Sequence, residues 1–130
     1  MEPSPIVIDG ITFPSVESYY QSQKTVNKRK QLSFTFLNGK QAKKKGRELN
    51  IRKDWEEIKV KVMLKGLRAK FKPDNEWGRQ LIATGKEEIT EWNNWGDKIW
   101  GKSIYDGEGQ NLLGKLLMQV RKELYEVKQN

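Results

Sequence analysis

The chain changes its hydrophobic period several times, and each change marks an element. "IVIDGITF" carries two short β-branched runs on either side of Asp9-Gly10, a favoured two-residue hairpin turn, with Pro5 and Pro14 outside them. This predicts a small β-hairpin. Ser15 follows as a cap for a helix over residues 16 to about 26. From residue 53 to about 71 the period turns helical: Val60, Met63, Leu64, Leu67 and Phe71 form one apolar face, widened by Trp55, Ile58 and Val62. A short helix in "NEWGRQLIATG" is stopped by Gly85. The last helix, over about 111–127, buries a stripe of Leu113, Leu116, Leu117, Val120 and Leu124.

Two segments read less simply. In "NKRKQLSFTFLNGK" Leu32, Phe34 and Phe36 alternate as in a strand, while Leu37 and the neighbouring helix formers suit a helix or a loop. Residues 40–49 are helical and basic in pattern, with Gly46 weakening the helix. No internal repeat or low-complexity linker interrupts the chain. The expected fold is mainly α (α+β), a single compact domain over residues 1–130 with several helices and a small hairpin.

Composition narrows the chemistry. The 130 residues contain no cysteine and no histidine, which removes disulfides, thiolates, the imidazole base and the common zinc sites. Catalysis is left to Asp, Glu, Lys, Arg, Tyr, hydroxyls or backbone amides, and no metal or other cofactor is expected. No apolar run approaches the ~18 residues that cross a bilayer, and "MEPSPIVIDG" lacks the layout of a secretory signal. The expectation is a cytoplasmic protein, bacterial or in the host cell if viral, with no membrane partner, as a monomer or small homo-oligomer. A formal charge of +8 suits an anionic partner, although solvated lysines alone give the same sum.

Several residues combine chemical potential with an ordinary structural reading. Glu17 stands in a first helical turn, where a carboxylate meets the helix dipole. At helical spacing it also shares a face with Tyr20, Gln21 and Lys24, a set more polar than a core stripe requires. Asp97 precedes Trp100-Gly101 and a loop holding Gly107, Gly109 and Asn111. Glycines before a helix let backbone amides approach an anion, yet an ordinary turn capped by Asn111 fits equally. Trp92, Trp95 and Trp100 suit core packing or the stacking of a planar ring. The basic run Lys40, Lys43, Lys44, Lys45 and Arg47 suits a solvated face or a phosphate-binding wall. Asp54 is a candidate helix cap and Trp55 a candidate core residue or ligand contact.

The strings "DGITFPSVESYYQSQK", "AKKKGRE", "RKDWEEIKVKVMLKGLRAKF", "LIATG", "DKIWG" and "GEGQNLLGKLLMQVRKEL" occur in this order. Together they resemble the NADAR superfamily, the YbiA-like proteins associated with NAD and ADP-ribose, over residues 7–124. The resemblance implies a mostly helical fold and hydrolysis of N-glycosidic bonds. In some relatives the substrate is a phosphorylated riboflavin-pathway intermediate; in others ADP-ribose is removed from guanine in DNA or RNA. It places an acidic pair on Glu17 and Asp97, stacking tryptophans on Trp55 and Trp100, and a lysine that attacks the ribose anomeric carbon on Lys24. Tyr20 and Gln21 belong to the same motif, Gly101 follows Trp100, and Lys43, Lys44, Arg47 and the loop of Gly107, Gly109 and Asn111 would hold the diphosphate.

Two departures from that pattern stand out. Relatives usually carry an aromatic-x-Asn-aromatic segment before the first strand, which this sequence lacks, and often a histidine where Ser18 stands. The expected activity is therefore an N-glycosidase on an ADP-ribose-type substrate, most directly ADP-ribosylated guanine in DNA or RNA. A phosphorylated riboflavin intermediate is the alternative substrate. A non-catalytic NAD- or ADP-ribose-binding protein is the alternative of another class.

Overall fold

The computed structural model describes residues 4–129, with side chains to residue 127. Contacts cluster in two units, one ending at Lys70 and the other beginning at Phe71.

The first unit opens with β1 (Ile6–Ile8) and β2 (Ile11–Phe13), paired antiparallel in the register Ile6↔Phe13 and Ile8↔Ile11. Asp9 (φ 51°) and Gly10 (φ 78°) both take the left-handed backbone that a tight two-residue hairpin requires. One face of the hairpin buries Ile6, Ile8 and Phe13, while Val7 and Thr12 face outward. The edge of the Phe13 ring meets Tyr19 at 5.4 Å.

Helix α1 (Val16–Ser22) starts as predicted, because Ser15 is extended (φ −162°) and its Oγ accepts the Ser18 amide at 3.1 Å. It stops earlier than residue 26. Gln23 closes it, and Thr25 Oγ1 takes the Asn27 amide, turning the chain toward a new start capped by Asn27. Six of the seven α1 residues are buried. This short helix is the centre of the unit, contacted by β2, α3 (Gly39–Arg47), α4 (Trp55–Lys70) and the 3-10 turn Phe34–Phe36.

The ambiguous segment resolves as helix: α2 (Lys28–Ser33) runs into the 3-10 turn. The alternation of Leu32, Phe34 and Phe36 does not reflect a strand. Phe34 is fully buried and receives the Ser18 hydroxyl on its carbonyl at 2.5 Å, whereas Leu32 and Phe36 are exposed. Helix α3 opens with a capping box between Asn38 and Gln41. On α4, Met63 and Leu67 are buried and Val60 and Leu64 half-buried, as the periodicity requires. Asp54 does not spend its carboxylate on a cap; both oxygens take the Arg52 guanidinium, at 2.6 and 3.1 Å.

The second unit contains α5 (Glu76–Ala83), the short strands β3 (Trp92–Asn93) and β4 (Lys102–Ser103), and α6 (Leu112–Gln129). Asn75 caps α5 through the Gly78 amide at 2.8 Å, and Gly85 (φ 66°) ends it. Helices α5 and α6 pack together, and Arg121 fastens them by donating to Thr84 Oγ1 and the Glu87 carbonyl, both at 2.8 Å. The α6 stripe buries Leu116, Leu117, Val120 and Leu124. Strands β3 and β4 pair in parallel. Among the described residues no helix is long and apolar enough to cross a membrane.

Candidate active site

Glu17 is the one α1 residue that is not buried. Its Oε1 lies 3.4 Å from Lys43 Nζ on α3, and its Oε2 accepts Gln21 Nε2 at 3.2 Å. Gln21 is buried, and its Oε1 has no hydrogen-bond partner in the structure. A buried amide oxygen left bare costs roughly 1–3 kcal/mol.

Gly46 explains how α1 and α3 come so close. A Cβ at this position would sit 2.0 Å from Gln21 Oε1 and 2.9 Å from its Cδ. The residue that weakens α3 as a helix is thus the one that admits the Gln21 amide. Gly39 plays a milder part, its missing Cβ being 3.5 Å from Glu17 Cβ.

Lys24 lies just past the end of α1, where its carbonyl accepts the Arg52 amide at 2.8 Å. Its Nζ is 5.9 Å from both the Tyr20 and Trp55 ring centroids. These rings meet edge-on at 5.0 Å and form an apolar corner around the ammonium. Burial pushes the Lys24 pKa down from its ordinary value, Glu17 pulls it back up, and Arg47 lowers it further. The result is an amine closer to its nucleophilic, neutral form than a solvated lysine. Lys44 and Arg47 stand exposed on α3. In this unit the structure therefore gathers Glu17, Tyr20, Gln21, Lys24, Lys43 and Trp55. Ser18 is fully buried with its hydroxyl committed to the Phe34 carbonyl.

In the second unit Asp97, Trp100, Gly101, Gly109 and Asn111 are built into one loop by backbone contacts. Asp97 Oδ1 accepts the amides of Ile99 (3.0 Å) and Trp100 (2.9 Å). Asn93, which sequence reasoning passed over, is buried and holds Asp97 at both backbone atoms: Oδ1 accepts its amide at 3.0 Å and Nδ2 donates to its carbonyl at 2.7 Å. A Cβ on Gly101 would fall 2.2 Å from the Glu91 carbonyl oxygen, and one on Gly109 2.2 Å from that of Gly101. Gly107 (φ 71°) forms an exposed turn.

Asn111 is not a side-chain cap for α6. It is buried with φ 53°, and its amide accepts from the Glu91 N–H and donates to the Ile89 carbonyl, both at 2.9 Å. Trp92 and Trp95 are 53% and 71% exposed, so the core reading fails for them. Nothing in the sequence near Asn93 or Asn111 signals their roles, because their partners are backbone groups elsewhere in the fold.

An acid, a partly desolvated lysine and flanking aromatics are thus gathered on helices in a protein without Cys or His. The NADAR domain family profile matches residues 1–125. The N-glycosidase YbiA of Escherichia coli K12 is 37% identical over 123 residues, covering 92% of this chain and 76% of that protein. A riboflavin biosynthesis protein of Vibrio vulnificus is 39% identical over 127 residues, covering 95% of this chain but 34% of that protein. The NMR structure of the E. coli protein YbiA superposes with a TM-score of 0.87 at 35% identity, covering 98% of this chain and 76% of that one. The chain belongs to the NADAR domain family, and groups with its N-glycosidases.

Proposed function

We propose that this protein is an N-glycosidase that hydrolyses the bond between ribose C1 and a base nitrogen in an ADP-ribose-type substrate, guanine in DNA or RNA being the base. The observation that carries the reading is the pairing of Glu17, held by Gln21 and Lys43, with the partly desolvated Lys24 on the Tyr20–Trp55 corner. As the C–N bond breaks, its electrons leave with the base, and positive charge grows on the ribose ring. A fixed carboxylate stabilises that charge. Lys24 is the nucleophile of the covalent route: its neutral amine bonds to C1 as the base departs and gains a proton. The C1–ring oxygen bond then breaks, with a proton passing from the amine to that oxygen, to give an imine. Water adds to the imine to release the sugar and restore the amine. Asp97, with one oxygen anchoring its own turn, has the second acidic role in the family pattern. Lys44, Arg47 and the glycine turn at Gly107 and Gly109 are assigned to the diphosphate, while the Asn111 amide, already bonded to Glu91 and Ile89, supports that turn.

The nucleic-acid carrier is favoured by the net charge of +8. The riboflavin-intermediate reading is the second one, because a relative at 39% identity carries that role in its name. Incubation with ADP-ribosylated guanine oligonucleotide, and separately with phosphorylated riboflavin intermediates, tests both by mass spectrometry of the products. Release of ADP-ribose from the oligonucleotide supports the first reading. Turnover of the small intermediate alone overturns it in favour of the second. Borohydride trapping of an adduct on Lys24 supports the covalent route. Full turnover by Lys24→Ala rules that route out.

A further inference from the structure

Between residues 24 and 53 stand eleven Lys or Arg and a single acid, Glu48. The proposed chemistry draws on Lys24, Lys43, Lys44 and Arg47, which leaves most of this charge without a use. Three of the seven remaining cations converge. Arg29, Lys30 and Ser33 of α2 and Lys45 of α3 line one cleft of about 380 Å³, closed by Glu48 and Leu49. Like charges gathered around a concave surface repel one another, and an anion that spans them relieves this repulsion. Next along the chain, Phe36 ends the 3-10 turn that links α2 toward α3 and is 86% exposed. Phe36 stands three residues beyond Ser33, which lines the cleft. Burial explains Phe34, but no packing role explains the exposed phenyl ring of Phe36.

We infer that the α2–α3 face is a binding track for single-stranded nucleic acid, with Arg29, Lys30 and Lys45 on successive phosphates and Phe36 stacked on an unpaired base. Cations on the backbone with an aromatic platform for bases are the combination that sequence-tolerant strand binding uses. A duplex would leave Phe36 without a base to stack on, and an anionic lipid surface would have no use for a concave cleft. The inference rests on the reading above that the modified guanine sits in a nucleic acid, and adds where the strand is gripped away from the reacting bond.

The test uses the full chain and unmodified fluorescent oligonucleotides, DNA and RNA, so that binding is measured apart from hydrolysis. The triple variant Arg29→Ala/Lys30→Ala/Lys45→Ala is expected to weaken binding at least tenfold. It should also flatten the log Kd against log[salt] slope by about 2, at ~0.7 per single-strand phosphate contact. Phe36→Ala should weaken binding about fivefold or more with the slope unchanged, because stacking releases no counterions. Cleavage of a small ADP-ribosylated guanosine should be unchanged in both variants. A control that removes as many cations from elsewhere, Lys53→Ala/Lys61→Ala/Lys65→Ala, should lose far less affinity; an equal loss would reduce the track to bulk charge and overturn it. Wild-type affinity in the triple variant, preference for duplex over single strand, or binding to phosphatidylserine vesicles but to no oligonucleotide would each overturn it as well. Strand binding without any hydrolysis would leave the track standing and remove the proposed activity. Hydrolysis of the small substrate without strand binding would do the reverse.

Discussion

The two units of this chain divide charge and construction unequally. Up to Lys70 the sequence has sixteen Lys or Arg against seven acids, a net +9; from Phe71 on it has nine against ten, a net −1. The first unit gathers side chains: a carboxylate, an amide, an amine and two rings projected from or beside helices. The second shapes a loop in which glycines meet carbonyls and asparagines bond to backbone. Functional motifs of similar sequence sharpness therefore rest on different physics. One presents charged and polar side chains, and the other fixes a backbone path.

The largest effects should come from removing charge while keeping shape. Glu17→Gln is expected to lower kcat by about 10²–10³-fold, the scale of losing a charge-stabilising or proton-transferring group. Asp97→Asn keeps an oxygen for the Ile99 and Trp100 amides, so its loop should survive while turnover falls comparably. Steady-state kinetics with circular dichroism separate the two losses. Undiminished turnover in both variants would remove the acid pair from the mechanism.

Glycine substitutions sharpen the contrast in construction. Gly46→Ala gains up to ~1 kcal/mol in helix propensity but drives a methyl into the Gln21 amide, so a net loss of about 1–2 kcal/mol is expected. Gly101→Ala meets a backbone carbonyl that has no rotamer to yield, and its loss should be larger, about 3 kcal/mol or more. Urea denaturation ranks them, and the reverse order would contradict the distinction between a side-chain site and a backbone-built loop.

A third effect is a pH dependence confined to the first unit. Burial lowers the Lys24 pKa from its ordinary 10.5, assisted by Arg47 and opposed by Glu17. Between the lowered native value and 10.5 the folded chain holds fewer protons than the unfolded one, so the contribution of Lys24 to stability rises with pH across that window. Below the window the buried ammonium is a constant cost. If Lys24 is the nucleophile, kcat also rises with pH through its lowered pKa, and Lys24→Arg abolishes both that limb and the covalent adduct. A pH–rate profile unaltered in Lys24→Arg would assign the limb to another group.

The smallest effect belongs to Lys43. Its ammonium is half exposed at 3.4 Å from Glu17, so Lys43→Ala should change stability by less than ~1 kcal/mol. Its influence should appear instead as a raised KM for a diphosphate-bearing substrate, measured against the same variant's thermal midpoint.

Much of this architecture was legible along the chain. The Asp9-Gly10 turn, the Ser15 cap and the stripes on α4 and α6 are local or periodic signals, and they appear where the residues predict. Residues 32–36 stayed open between strand, helix and loop because Phe34 and its neighbours also fit a period of two, and tertiary packing chose the helix and 3-10 turn that bury Phe34 alone of the three. Gly46 read as a weakness because propensity knows nothing of a neighbouring helix. Trp92 and Trp95 suggested a core because large rings are usually inside, yet they are exposed.

The sequence by itself determined the hairpin and the long helices, the absence of imidazole and thiol chemistry, the family, and the concentration of positive charge in one half. These follow from composition, period and motif order, which need no third dimension. Only the tertiary structure decided that α1 is enclosed with Glu17 as its one less-buried side chain, that Lys24 sits against two rings, and that Asn93 and Asn111 serve the backbone rather than a helix end. Those facts depend on burial and on partners far along the chain, Ile89 for Asn111 and Trp55 for Lys24, and neither quantity is carried by a local string.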